Sequence, residues 1–265
     1  MPVGCVPRDN GTVTAPPQPG LTVTFAGSGD AFGSGGRHQA CVHLRSPGGS
    51  DAVLLDCGAT SLSALKHLGL DPGEISAVFI SHLHGDHFGG LPFLILDGQF
   101  SGRTMPLTVA GPRGSARRLA EAMECMFPGS SAVRRRFTVA ITELDPATAV
   151  SVCGVSVRTW EADHPSGAPA LLLRLDLGGR RVAYTGDTAW TEAVTDLAAG
   201  ADLLIAEAYY RDKNVPYHLR LADLEAHQDR LGARRIIITH MSAEMLDHRH
   251  DMPFEAAHDG LSVSL

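Results

Sequence analysis

Immediately behind the apolar run Val78-Phe79-Ile80 the chain places His82-Leu83-His84-Gly85-Asp86-His87, three imidazoles and one carboxylate within six residues. Whatever fold the chain adopts must end a buried strand here and gather these side chains in one place, a density that packing alone does not produce. A metal site meets that demand. Alternate residues on an extended or tightly turning segment project the same way, so His82, His84 and Asp86 can converge while His87 faces a neighbouring position. Two metals fit this arrangement better than one. Imidazole and carboxylate together suit Zn2+, with Mn2+ or Fe as alternatives, since both donors bind zinc at about 2.0–2.2 Å. A histidine-rich surface loop that picks up metal adventitiously is the competing reading, and the position directly after a strand argues against it.

The rest of the composition narrows the class. A chain of 265 residues with 44% hydrophobic content can bury a substantial core. It has no apolar stretch of about eighteen residues and no basic region leading into an apolar run, so the reading supports neither a membrane span nor a signal peptide and favours a cytoplasmic location. Cys5, Cys41, Cys57, Cys125 and Cys153 are odd in number and form no C-x-x-C pair, which speaks against a disulfide framework or a cysteine zinc site and for small apolar fillers. A formal charge of −7 makes a general polyanion binder a poor fit and favours a small-molecule substrate. Arg113, Arg117, Arg118 and the run Arg134-Arg135-Arg136 are read as solvated faces, with a binding patch held open.

Residues 1–20, proline-rich and without hydrophobic period, read as a flexible leader. From 21 to 265 the chain reads as one domain in which short apolar or β-branched runs alternate with helical patterns. Strands are expected at 21–26, 39–45, 52–56, 75–81, 107–110, 137–143, 155–161, 170–177, 181–185, 203–207, 236–239 and 261–263. Helices are expected at 61–68, 115–126, 191–198 and 222–231. Such runs suggest an α/β fold in which two mixed sheets pack together under helices, a four-layer αββα sandwich.

Three more polar residues stand at strand ends, where loops assemble sites. They are His164 in Ala162-Asp163-His164-Pro165, Asp187 in Thr185-Gly186-Asp187-Thr188 and His240 in Thr239-His240-Met241-Ser242. Singly each would serve as a cap or loop residue; together with His82–His87 they form a pattern. In this order the segments resemble the metallo-β-lactamase superfamily, over 21–265. The resemblance implies that His82, His84 and His164 hold one metal, that Asp86, His87 and His240 hold a second, and that Asp187 bridges the two. Asp56 matches the buried aspartate that the family places behind the site, where it can orient a metal-bound imidazole; the alternative is a strand-end cap. Two such ions about 3.5–4 Å apart would leave a bridging hydroxide poised as nucleophile. Asp86 and His218 are the candidate catalytic residues.

The glycine-rich opening Gly27-Ser28-Gly29-Asp30-Ala31-Phe32-Gly33-Ser34-Gly35-Gly36-Arg37 is similar to that of the ribonuclease Z-like and small-molecule phosphodiesterase branch. Glu207-Ala208 followed by Tyr217-His218-Leu219 resembles the branch's extra histidine, which makes His218 the candidate for protonating a leaving oxygen, against the reading of a helix-flanking surface histidine. The short interval from His164 to Asp187 leaves no room for the arm with which tRNA-processing members clasp their substrate. The leading expectation is therefore hydrolysis of a small phosphodiester, a cyclic nucleotide or cyclic sugar phosphate. The alternative is a carboxyl ester, lactone or thioester, for which Phe88, Met241, Met245, Trp190 and Tyr209 would supply an apolar wall. Transfer-RNA processing, binding without turnover and iron redox chemistry rank behind these, and a homodimer is the expected assembly.

Overall fold

The computed structural model describes residues 20–49 and 52–265; the expected leader, except Gly20, lies outside them. The first half of the chain lays down β1 (Thr22–Gly27), β2 (Cys41–Arg45), β3 (Ala52–Leu55), β4 (Ile75–Phe79), β5 (Leu107–Pro112) and β6 (Val139–Leu144). The second half gives β7 (Ala149–Val152), β8 (Val155–Ala162), β9 (Ala170–Leu177), β10 (Arg180–Tyr184), β11 (Leu203–Glu207), β12 (Ile236–Thr239) and β13 (Glu255–Ala256), and β14 (Ser262–Ser264) returns to the first sheet. Two seven-stranded sheets result, ordered β14-β1-β2-β3-β4-β5-β6 and β13-β12-β11-β10-β9-β8-β7. Both are mixed: β3 to β6 and β10 to β13 run parallel, while the other neighbours are antiparallel.

Burial explains the sequence pattern strand by strand. Central strands covered on both faces are apolar runs, as in Ala-Val-Leu-Leu of β3 and Leu-Leu-Ile-Ala of β11, which only Glu207 at its end breaks. Near the edge, β8 turns Val155, Val157 and Thr159 inward and Ser156 and Arg158 to solvent. Between the sheets Phe25, Phe79, Leu173, Tyr184 and Ile205 share one core, each such side chain contributing about 1.5–3 kcal/mol by burial. Outside the first sheet lie α1 (Ser61–His67), α2 (Gly85–Phe88), α3 (Leu91–Ser101) and α4 (Ser115–Met126), packed through Leu65, Phe88, Leu94 and Leu119. Outside the second lie α5 (Glu192–Ala198), α6 (Leu221–Ala226) and α7 (Ala243–Asp247), packed through Leu197, Leu224 and Met245. The layers are α, β, β, α, as expected.

The structure departs from the sequence reading in several places. α3 has no counterpart among the expected helices, since its apolar residues do not keep to one stripe: Leu91, Leu94 and Ile95 are buried while Phe93 and Phe100 face solvent. The helix expected to reach Leu231 stops at Ala226, where His227 leaves helical backbone angles and its Nδ1 donates to the Asp223 carbonyl at 2.8 Å. Cys41 and Cys57 are buried fillers, but Cys125 and Cys153 are exposed, on the outer side of α4 and in the β7–β8 turn; Cys5 lies outside the described residues. Arg113 pairs with Asp145 and Arg117 with Glu121 on the surface, and Arg135 donates to the Val133 and Ser130 carbonyls. Among the described residues no helix is long and apolar enough to cross a membrane.

Candidate metal centre

Every predicted ligand emerges beyond the C-terminal end of a strand, and the ends lie on one edge of the sandwich. Asp56 follows β3, His82–His87 follow β4, His164 follows β8, Asp187 follows β10 and His240 follows β12. Backbone at this edge is bent into left-handed conformations: Asp56 has φ 58°, Gly186 54°, Tyr217 67° and His240 56°. Such angles cost free energy for residues other than glycine and concentrate where side chains must be aimed. Close approach matters as well, since a Cβ on Gly58 would stand 2.2 Å from the Asp86 carbonyl oxygen, so only glycine lets the loop after β3 pass beneath the histidine segment.

The predicted ligands fall into two clusters, and a third group, Asp187, Glu207, His218 and His240, also brings its donor atoms together. Donor atoms of His82, His84 and His164 lie within 4.8 Å of one another, as do those of Asp86, His87, Asp187 and His240. Asp187 faces both clusters. Its Oδ1 is 3.3 Å from His87 Nε2 and 3.6 Å from His240 Nε2, and its Oδ2 is 3.9 Å from the Nε2 atoms of His82 and His164. The expected convergence of Asp86 with His82 and His84 by alternation does not occur. Helix α2 begins at Gly85, so the period changes from two to 3.6 inside the motif and turns Asp86 to the side of His87.

Hydrogen bonds behind the site decide which ring nitrogens are free. The Asp56 carboxylate, 0% exposed, accepts from His87 Nδ1 at 2.7 Å, from the Tyr184 hydroxyl at 2.7 Å, and from Ser81 through its amide at 2.7 Å and its hydroxyl at 2.8 Å. Because the Ser81 hydroxyl gives its proton to Asp56, it can only accept from His82 Nδ1, 3.0 Å away. The Tyr217 carbonyl likewise accepts from His164 Nδ1 at 2.9 Å. Each of these rings therefore turns Nε2 toward the others. His82 Nε2 and Asp187 Oδ1 are buried with no hydrogen-bond partner among the described residues, an arrangement costly in a protein interior unless a cation accepts the lone pairs. The donor set fits divalent metal ions.

Electrostatics agree. Burial pushes His82 and His84 below the usual histidine range, and the surrounding imidazoles push further. Burial also lowers His164, partly offset by Asp187. For His87 the burial effect is outweighed by Asp187, Asp86 and Asp56, which hold it well above that range, and Asp187 and Asp86 raise His240 likewise. Asp86 and Asp187 are held low despite burial, by His87 and His240.

His218 stands at the rim with 19% of its side chain exposed, its ring centroid 5.0 Å from that of His164. Its Nδ1 lies 2.9 Å from Oε2 of Glu207. Glu207 is buried at the end of β11, and its Oε1 accepts the amides of Thr188 at 2.6 Å and Leu219 at 3.3 Å. Burial and the nearby Asp187 push the Glu207 carboxyl well above its usual range. Sequence reading used Glu207 only as a marker of position; a carboxylate closing an apolar strand was the signal available. The proposed apolar wall does not form as expected: Phe88, Met241 and Met245 are buried in the outer cores, and Trp190 stacks on His227 at 3.9 Å, leaving Tyr209 beside His218.

The model of the beta-lactamase superfamily domain matches residues 51–241, most of the chain. The chain belongs to that family. Ribonuclease Z of Methanosarcina acetivorans is 26% identical over 279 positions, covering 86% of this chain and 89% of that protein. Ribonuclease Z of Bacillus velezensis is 29% identical over 292 positions, covering 89% and 95%. Human tRNase Z, short form, superposes with a TM-score of 0.74 at 26% identity, covering 92% of this chain and 98% of that one. A diphosphatase of the PhnP family shares the fold at TM-score 0.72 and 20% identity, covering 92% and 98%. The protein is a metallo-β-lactamase superfamily hydrolase of the ribonuclease Z-like branch, with a metal-dependent site.

Proposed function

We propose that the protein is a two-metal phosphodiesterase acting on a small phosphodiester, a cyclic nucleotide or a cyclic sugar phosphate. In this reading His82, His84 and His164 would hold one divalent ion, Asp86, His87 and His240 would hold the second, and Asp187 would serve both; zinc is the proposed metal, with manganese or iron as alternatives. Two ions so held would supply an activated water at neutral pH and a Lewis acid for a phosphoryl oxygen. The chain's own part is to orient and to move protons. Asp56 fixes the ring of His87 directly and that of His82 through Ser81, and the Tyr217 carbonyl fixes His164.

The observation that carries the reading is the His218–Glu207 pair. With Nδ1 engaged by a buried carboxylate and 3.9 Å from Asp187 Oδ2, His218 keeps Nε2 free, and the protonated ring can donate from it to the departing alkoxide of a phosphodiester. Thioester hydrolysis, whose thiolate departs unprotonated, does not call for such a positioned acid, and the apolar wall that would favour an ester or lactone is largely buried elsewhere. The reading takes the protein as cytoplasmic.

A second reading comes from the relatives named ribonuclease Z, which favour an RNA phosphodiester. Against it, the interval from His164 to Asp187 holds only the β9–β10 hairpin closed by Gly178-Gly179. Moreover, an alignment of 279 positions that covers only 86% of a 265-residue chain requires the relative to carry residues that this chain lacks. Incubating zinc- and manganese-loaded protein with bis(p-nitrophenyl) phosphate, p-nitrophenyl butyrate and a precursor tRNA separates the readings. Turnover of the diester without cleavage of the tRNA is expected; turnover of the butyrate alone, or cleavage at the tRNA 3′ end, would replace the proposal.

A further inference from the structure

A series of rings leads outward from the metal centre along one side of the cleft. The rings of His240 and His218 lie nearly parallel, 12° apart with centroids at 6.0 Å. Tyr209 follows, 4.9 Å from His218 and 6.0 Å from His240, and Tyr210 stands edge-on to it at 4.9 Å. The outermost ring is covered by Lys213, whose Nζ is 4.5 Å from the Tyr210 centroid. On the other side of His218, Tyr217 is 46% exposed and is held in a left-handed conformation by the turn that sends its carbonyl to His164.

The structural work at position 209 belongs to the backbone, whose amide donates to the Leu219 carbonyl at 2.9 Å and whose carbonyl accepts from Ser242 at 3.0 Å. None of the three tyrosine hydroxyls makes a hydrogen bond to another described residue, and Tyr209 and Tyr210 are only half-buried. An aromatic ring left at the lip of a polar cleft offers a flat, weakly hydrated surface, and what gains most from such a surface is another flat ring.

We infer that Tyr209, extended by Tyr210, is a specificity-determining residue that receives a planar aromatic group of the substrate, a nucleobase or an aryl ring, next to the phosphoester bond. This rests on the phosphodiester reading and decides between its two substrate classes. With His218 facing the departing oxygen, the group attached beyond that oxygen projects along Tyr209. A nucleoside phosphodiester then gains a stacking contact that a bare sugar phosphate cannot make.

Calorimetric titration of the metal-loaded protein with adenosine 5′-monophosphate and with ribose 5-phosphate tests this, because the two ligands share sugar and phosphate and differ by the base. The expected result is about tenfold tighter binding of the nucleotide, retained in Tyr209→Phe and reduced to about twofold or less in Tyr209→Leu through loss of nucleotide affinity alone. Tyr209→Phe also serves as the control for folding. Equal affinities in the wild type, or a preference that survives Tyr209→Leu or disappears in Tyr209→Phe, would overturn the inference and leave the phosphoester reading standing. Failure of both ligands to bind would overturn both.

Discussion

His218 Nδ1 lies 2.9 Å from Oε2 of Glu207, a carboxylate with no exposed surface whose other oxygen is fixed by two backbone amides. A histidine so held keeps a fixed orientation beside the candidate metal centre; burial lowers its pKa, so in the proposed role it must take up a proton before it gives one to the leaving oxygen.

General acid catalysis is worth about 10²–10⁴-fold when the leaving group needs a proton. His218→Ala is therefore expected to slow hydrolysis of an alkyl phosphodiester by about that factor, while p-nitrophenyl diesters, whose leaving group departs unaided, lose about tenfold or less. Glu207→Gln should show the same leaving-group dependence in weaker form, with metal content unchanged. Steady-state rates across leaving groups of graded acidity check this; an equal loss for every leaving group would assign His218 to substrate binding alone.

Asp56 holds the His87 ring from behind, in concert with Tyr184 and Ser81. Asparagine tolerates the left-handed backbone at this position, φ 58°, so Asp56→Asn should fold. Loss of such an orienting carboxylate typically costs 10–100-fold in metal affinity. Competition with a chelator is expected to show a drop of about that size for the ion on the His87 side, with an unaltered circular dichroism spectrum.

His43 on β2 is 2% exposed, and neither ring nitrogen has a hydrogen-bond partner among the described residues. Burial, aided by Arg45, lowers its pKa from 6.5 to about 4. The folded state therefore binds fewer protons here than the unfolded chain between these values. Its contribution is fully present above pH 6.5 and is lost as the pH falls toward 4, on the order of 3 kcal/mol in total. His43→Leu gives up no hydrogen bond, and its stability should fall less steeply than that of the wild type between pH 6.5 and 4. Urea denaturation at several pH values measures the difference; parallel curves would show that His43 does not titrate as described.

The candidate histidine and aspartate ligands were legible in the sequence because carboxylates and imidazoles at the ends of apolar strands have few structural uses. The double-layered sheet was legible for a similar reason, since strands covered on both faces, such as Leu203–Ala206, must be apolar throughout. What stayed hidden depends on contacts between distant segments. Glu207 acquires its role only when the loop carrying His218 folds back onto β11, eleven residues later. Tyr184 and Ser81 meet Asp56 across 128 and 25 residues. The grouping of Asp86 turned on a helix of only four residues, too short to leave a period in the sequence.

In the proposed centre Asp187 joins two metal sites. Elemental analysis of zinc-loaded, dialysed protein, alongside Asp187→Asn, is the direct test. Two ions per chain are expected in the wild type, one at His82, His84 and His164 and one at Asp86, His87 and His240, and one or fewer in the variant. A single ion in the wild type, or an unchanged count when Asp187 is replaced, would contradict the proposal.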